Sequence, residues 1–242
     1  MLFFTLPFLP ILAIYILAAV LPAVILLRYI YRHDTVEKEP PGLLARLLLM
    51  GVASALCSGM LELVGQTVLN RLVSPSSPYY AVILAFLVVA LVEEGTKLLF
   101  LYRTTWRNPN FNYRFDGIVY AVFVSLGFAA YENIQYVLSY GLSVALSRGL
   151  LAVPGHMSFA VIMGTFYGRA KLCENAGDWR GRRQNLWNAY LSAVSLHGFY
   201  DACAMIGSAT ATVLFVIFVV WMFWTVYRMV RRESATDAPL SM

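Results

Sequence analysis

Charge is what this sequence has least of: 13% of its 242 residues are Asp, Glu, Lys or Arg, against 60% hydrophobic. A soluble domain is nearer a quarter charged and half apolar, so the composition excludes a soluble globular protein and implies one embedded in a lipid bilayer. The mean hydropathy of +0.69 agrees. Cysteine is scarce too. Cys57, Cys173 and Cys203 form no CxxC pair, which excludes a disulfide framework and a thiolate metal site. No polar linker is long enough to divide the chain, so we expect a single transmembrane domain over 1–242. There is no HExxH, no GxSxG around a serine, and no GxGD partner for Tyr200-Asp201. The start of the chain lacks a basic segment, and its apolar run is too long for a signal peptide, so it reads as a retained span.

What the sequence does have is long apolar runs. A helix needs about 20 apolar residues to cross the hydrocarbon core. Runs of this kind lie at roughly 2–27, 43–68, 79–102, 116–138, 146–168, 187–206 and 209–228. They predict an all-α, multi-pass transmembrane bundle of about seven helices. Only Gly207-Ser208 separates the last two runs, which predicts a tight turn, with one long tilted or re-entrant segment as the alternative. The net charge of +5 does not indicate nucleic acid. Of the 18 Lys and Arg, four lie in 28–46, three in 103–114, five in 169–183 and three in 228–232, all in alternate loops or the tail. Positive charge stays cytoplasmic, so the N-terminus is expected outside and the C-terminus inside.

Against this background a few ionisable residues fall within the spans: Glu62, Glu93, Glu94, Lys97, Glu132, His156, His197 and Asp201. A charge at the bilayer centre costs roughly 2.5–3.5 kcal/mol on insertion scales, and such residues usually face the bundle interior and mark a site. Lys97 follows Glu93 by four residues and Glu94 by three, so it shares a helical face with a glutamate and is expected to neutralise one of them. His197 and Asp201 are likewise one turn apart. Pro154-Gly155 beside His156 predicts a local break in that helix. Glu62 has no spaced partner and is expected to line a cavity or serve structure. Two histidines with carboxylates form a ligand set suited to zinc. A further glutamate beside such an ion can act as general base on its bound water. The same acids and histidines also suit a proton relay, so an ion- or proton-coupled transporter is the alternative.

Four short patterns occur in order, one per span: EEGTK at 93–97 as EExxK, FAAYE at 128–132 as FxxxE, His156, and HGFYD at 197–201 as HxxxD. Together they resemble the PrsW family of bacterial intramembrane proteases, over about residues 79–206. That family is in turn similar to the CAAX-type prenyl endopeptidases. Glu132 departs from those enzymes, which have histidine at that place, so prenylated substrates are not expected. The resemblance implies a metal-dependent endopeptidase of the cell membrane. It would cleave a membrane-anchored protein, such as a single-span anti-sigma-factor-like substrate, near its extracytoplasmic side in signalling. It implies that Glu93 and Glu94 form the catalytic pair, supported by Lys97. It puts Glu132, His156, His197 and Asp201 in the metal or polar site, with zinc the expected ion. Of the two glutamates, Glu93 is the expected base and Glu94 the partner of Lys97.

Overall fold

The structure, a computed structural model, describes residues 8–240. The helices are α1 (Phe8–His33), α2 (Pro41–Leu72), α3 (Tyr80–Ile83), α4 (Leu91–Thr105), α5 (Asp116–Tyr140), α6 (Ser143–Leu150), α7 (Ala152–Asn175), α8 (Trp179–Ile206) and α9 (Ala209–Ala235). A π-helical stretch, Leu84–Ala90, joins α3 to α4 without interruption, so 80–105 is one rod. The short α6 leads directly into α7. Seven long helical units result, as the apolar runs predict, and no strand occurs among the described residues. Positions 2–7 of the first expected span lie outside the described residues.

Five units are long and apolar enough to cross a membrane on composition alone: 9–33, 41–72, 116–140, 143–175 and 209–235. The other two, 80–105 and α8, carry Glu93, Glu94 and Lys97, or His197, Asp201 and a basic first turn, which lowers their apolar content. The chain is a multi-pass membrane protein, and its two least apolar units are the ones that bring chemistry into it.

Helix α5 is the centre of the bundle. Every residue from Asp116 to Ala129 is buried. Helices α1, α2 and α7 pack against it, and α1, α2 and the outer helix α9 turn leucines, isoleucines and valines outward, among them Leu17, Leu63 and Val220, as lipid contact requires. Inside lipid the hydrophobic effect does not press helices together, and small residues that let backbones approach take over that role. A Cβ on Gly51 of α2 would lie 2.1 Å from the carbonyl oxygen of Val124, and one on Gly127 of α5 would lie 2.3 Å from that of Leu48. The α2–α5 contact is therefore backbone against backbone. On α8, a Cβ on Gly198 would come 2.4 Å from the Phe86 ring. That close fit sets α8 against the π-helical stretch and carries the adjacent His197 toward Glu94.

The tight turn expected at 207–208 is present. Gly207 takes the left-handed conformation (φ 62°) that ends α8, and the Ser208 side chain accepts a hydrogen bond from the Ala211 amide to start α9. The break expected at Pro154-Gly155 is absent. Helix α7 runs straight through them, because Pro154 sits in its first turn, where a missing N–H costs nothing. The interruption falls before them, at Leu151, between α6 and α7. The three cysteines are unpaired.

Candidate active site

Four helices bring the ionisable residues into one network. From α4, the Lys97 ammonium donates to Glu93 Oε2 at 3.0 Å and to Glu94 Oε1 at 2.8 Å. It thus bridges both glutamates rather than one. The spacings of three and four residues allow both contacts at once, since the lysine lies above and between the two. The ammonium also stands 3.1 Å from His156 Nδ1 of α7 and 4.0 Å from the centre of the Phe128 ring of α5. Phe128 therefore packs against the cation as well as filling the core. Lys97 is 2% exposed, and its two carboxylate partners are also buried. Charges this deep are tolerable only when paired and hydrogen-bonded.

Each histidine lies between two groups. His156 Nδ1 faces Lys97, and Nε2 meets Glu132 Oε2 of α5 at 3.0 Å. His197 Nδ1 meets Glu94 Oε1 at 2.8 Å, and Nε2 lies 3.3 Å from Asp201 Oδ2, one turn further along α8. The two rings stand edge to face with centroids 5.4 Å apart. Phe159 stacks on His197 at 4.8 Å. A carboxylate on one ring nitrogen fixes tautomer and orientation, and this arrangement recurs around metal-binding histidines.

The network borders a cavity of about 510 Å³. Glu62, Glu93, Glu132, His156, His197 and Asp201 are on its wall, and Glu94 is not. The lining extends to Arg148 in α6 and to Met205 in the last turn of α8. The cavity therefore reaches the end of the bundle remote from the basic loops.

The seven residues singled out in the sequence thus all belong to one network. Geometry divides them, however. Glu132 with His156 and Asp201 with His197 are two pairs, one on each side of Lys97. The donors that converge within 4.8 Å of one another are those of Glu93, Glu94 and His156. Sequence reasoning missed Arg148, which had the appearance of an ordinary loop charge. Its guanidinium donates to Asn133 Oδ1 at 3.1 Å, pairs with Glu132 Oε2 at 2.9 Å, and lies 3.7 Å from the centre of the Tyr136 ring. Asn133 in turn donates to the Ala19 carbonyl of α1 at 2.7 Å. Nothing in the spacing of residues 132 and 148 could reveal that contact, because it depends on how α6 folds over the cavity.

A helical membrane bundle that holds carboxylates, imidazoles and one lysine beside a chamber of about 510 Å³ defines a membrane-embedded protein with an acid–base site. The chain belongs to the PrsW family: the family model described as PrsW family intramembrane metalloprotease matches residues 39–227. It is 38% identical over 184 residues to Protease PrsW of Geobacillus kaustophilus, covering 76% of each chain. It is 31% identical over 204 residues to Protease PrsW of Clostridioides difficile, covering 83% of each. With Protease PrsW of Oceanobacillus iheyensis the identity is 32% over 220 residues, 90% of this chain and 96% of that one. No solved structure matches the chain. The family is one of proteases, which favours that reading over the transporter.

The family description implies a divalent metal, and the residues suit one. Carboxylates and imidazoles are appropriate donors for such an ion. Glu94 Oε2 is buried without a hydrogen-bond partner. The Lys97 ammonium sits within 3.1 Å of one atom from each of Glu93, Glu94 and His156. Lys97 fills that place, so an ion would take its donors on the cavity side, where Glu93, Glu132, His156, His197 and Asp201 line the wall.

Proposed function

We propose that the protein is an endopeptidase that hydrolyses a membrane-anchored protein, for example a single-span anti-sigma-factor-like substrate, with Glu93 as the general base. The observation that carries this is the contrast between the two adjacent glutamates. Glu94 accepts from both Lys97 and His197 and lies off the cavity wall, whereas Glu93 lines the cavity. Glu93 is the carboxylate that a water in the chamber meets.

In this mechanism an extended segment of the substrate enters the chamber from the end remote from the basic loops. On the charge bias of those loops, that is the extracytoplasmic side. Glu93 takes a proton from the water as its oxygen bonds to the scissile carbonyl carbon, and returns that proton to the leaving nitrogen as the C–N bond breaks, a role that contributes typically 10²–10⁴-fold. Lys97 keeps the Glu93–Glu94 pair from repelling itself. Glu94 and Asp201 hold His197 in one orientation, and Glu132, anchored by Arg148, does the same for His156. A divalent ion, in this proposal zinc, would be held by Glu132, His156, His197 and Asp201 in exchange for the Glu132–His156 and Asp201–His197 contacts. Such an ion would supply Lewis acidity toward the scissile carbonyl and the attacking water. Phe159, Tyr200 and Phe215 of the wall keep the rest of the chamber apolar.

The test is cleavage of a single-span substrate by the purified protein in proteoliposomes, with products identified by mass spectrometry. Cleavage within or next to the span, lost in Glu93→Gln, supports the reading. Undiminished cleavage in both Glu93→Gln and Glu94→Gln would refute it.

A further inference from the structure

We propose that Glu62 is a specificity-determining residue of the cavity, selecting substrates with a lysine or arginine close to the scissile bond. The proposal rests on the protease reading above.

Glu62 projects from α2 onto the same cavity wall as Glu93. Every other carboxylate on that wall has a basic partner. Glu93 has Lys97 at 3.0 Å, Glu132 has Arg148 at 2.9 Å and His156 at 3.0 Å, and Asp201 has His197 at 3.3 Å. Among the described residues Glu62 has neither a hydrogen bond nor an ion pair, and no Lys, Arg or His approaches it within the 4.0 Å that its neighbours achieve. An ionisable side chain within a membrane span calls for a partner. On this wall the protein supplies a partner to each acid but one.

The balance of charge points the same way. Four carboxylates line the chamber against Arg148, the one permanent cation among the lining residues, so the wall stays net negative even with a divalent ion bound. Lys97, the other cation of the network, lies behind the wall between Glu93 and Glu94. An acidic side chain brought in by a substrate would meet like charge, and a basic one would find Glu62 free. The stem of a lysine or arginine also suits the rest of the wall, because its methylenes can lie along apolar side chains while the head reaches a carboxylate. Val89 and Phe215 offer such a surface on the same wall. Glu62 and Glu93 share one chamber, so the basic residue would sit within a few positions of the bond attacked by the water that Glu93 deprotonates.

The experiment uses the full-length protein in proteoliposomes and a set of single-span peptides. Lys, Gln or Glu is placed at each of three positions on either side of the scissile bond, and kcat and KM are measured for each peptide. At one or two positions Lys should exceed Gln in kcat/KM by about tenfold, mostly through KM, as expected for one charge-assisted contact. Glu should fall below Gln there. In Glu62→Gln the Lys-to-Gln ratio should drop to near one, and Glu62→Asp should restore part of it. Cleavage without preference for Lys at any position, or a preference that Glu62→Gln leaves intact, overturns the proposal while leaving the protease reading standing. Absence of cleavage of every peptide refutes the protease reading itself, and this proposal with it.

Discussion

Glu94 and His197, 103 residues apart in the chain, are joined by a 2.8 Å hydrogen bond at the contact between α4 and α8. That bond distinguishes two neighbouring glutamates that a sequence presents as equivalent. The one fastened to His197 organises the site, and the other faces the space where a substrate would lie.

Replacing Glu93 with Gln should therefore lower kcat by about 10²–10⁴-fold with little change in thermal unfolding, because the amide retains the shape. Glu94→Gln should lower both activity and unfolding temperature, since it weakens contacts to Lys97 and His197 together. Cleavage rates and unfolding of the two variants in the same detergent check the difference. Equal effects on both observables would contradict the division of roles.

Lys97→Met leaves two buried carboxylates without their shared cation. Breaking a buried pair in this way costs about 3–5 kcal/mol. The variant should unfold at a clearly lower temperature than the parent. The double variant Lys97→Met with Glu94→Gln should recover part of the loss, because only one carboxylate then remains uncompensated.

Metal content gives an independent reading of the site. We expect one divalent ion per chain by elemental analysis of the purified protein, removed by a chelator with loss of cleavage. His156→Ala and His197→Ala should each lose the ion. Full activity in protein shown to be free of metal would remove the metal from the mechanism and leave the Glu93 assignment to stand on its own.

A pH effect is expected at the opposite end of the molecule. In the loop between α1 and α2, burial pushes the Glu39 carboxyl up from 4.5 to about 7 and that of Asp34 up from 3.8 to about 6. Both groups hold their protons more tightly in the fold than in the unfolded chain. Their burial is thus tolerated at low pH, and stability falls as pH rises from about 4.5 through about 7. Thermal unfolding should show higher stability near pH 5 than near pH 8. Glu39→Gln should flatten that slope, and an unchanged slope in this variant would assign the effect elsewhere.

The legible and illegible parts of the molecule differ in their physical origin. Spans follow from hydropathy, which is local, so every unit could be placed from the sequence, and the turn at Gly207-Ser208 along with them. The Lys97 contacts could be anticipated because helical periodicity is local as well. It gave the face and understated the result, since one ammonium reaches both glutamates. Arg148 was not legible, and Glu62 only in part: a cavity-lining place was among its expected roles, but not that it would be the one acid on that wall without a basic partner. The role of each depends on which helix faces it across the cavity, and no spacing along a single helix encodes that. Pro154 misled for a related reason: a proline breaks a helix interior but not a first turn, and only the structure shows that α7 begins at Ala152.

The π-helical stretch just ahead of Glu93 has a consequence for how this helix tolerates change in length. A π turn closes over one residue more than an α turn, so Leu84–Ala90 carries slack that an α-helix lacks. Removing one residue there can be absorbed by tightening to α, with Glu93 and Glu94 still aimed as before. The same deletion between Leu91 and Glu93 would swing both carboxylates about 100° around the axis, away from Lys97's histidine neighbour and out of the chamber. Paired deletions on the two sides of Ala90, scored by cleavage, should give one working enzyme and one dead one. The helix has a built-in tolerance on one side of its paired glutamates and a fixed phase on the other.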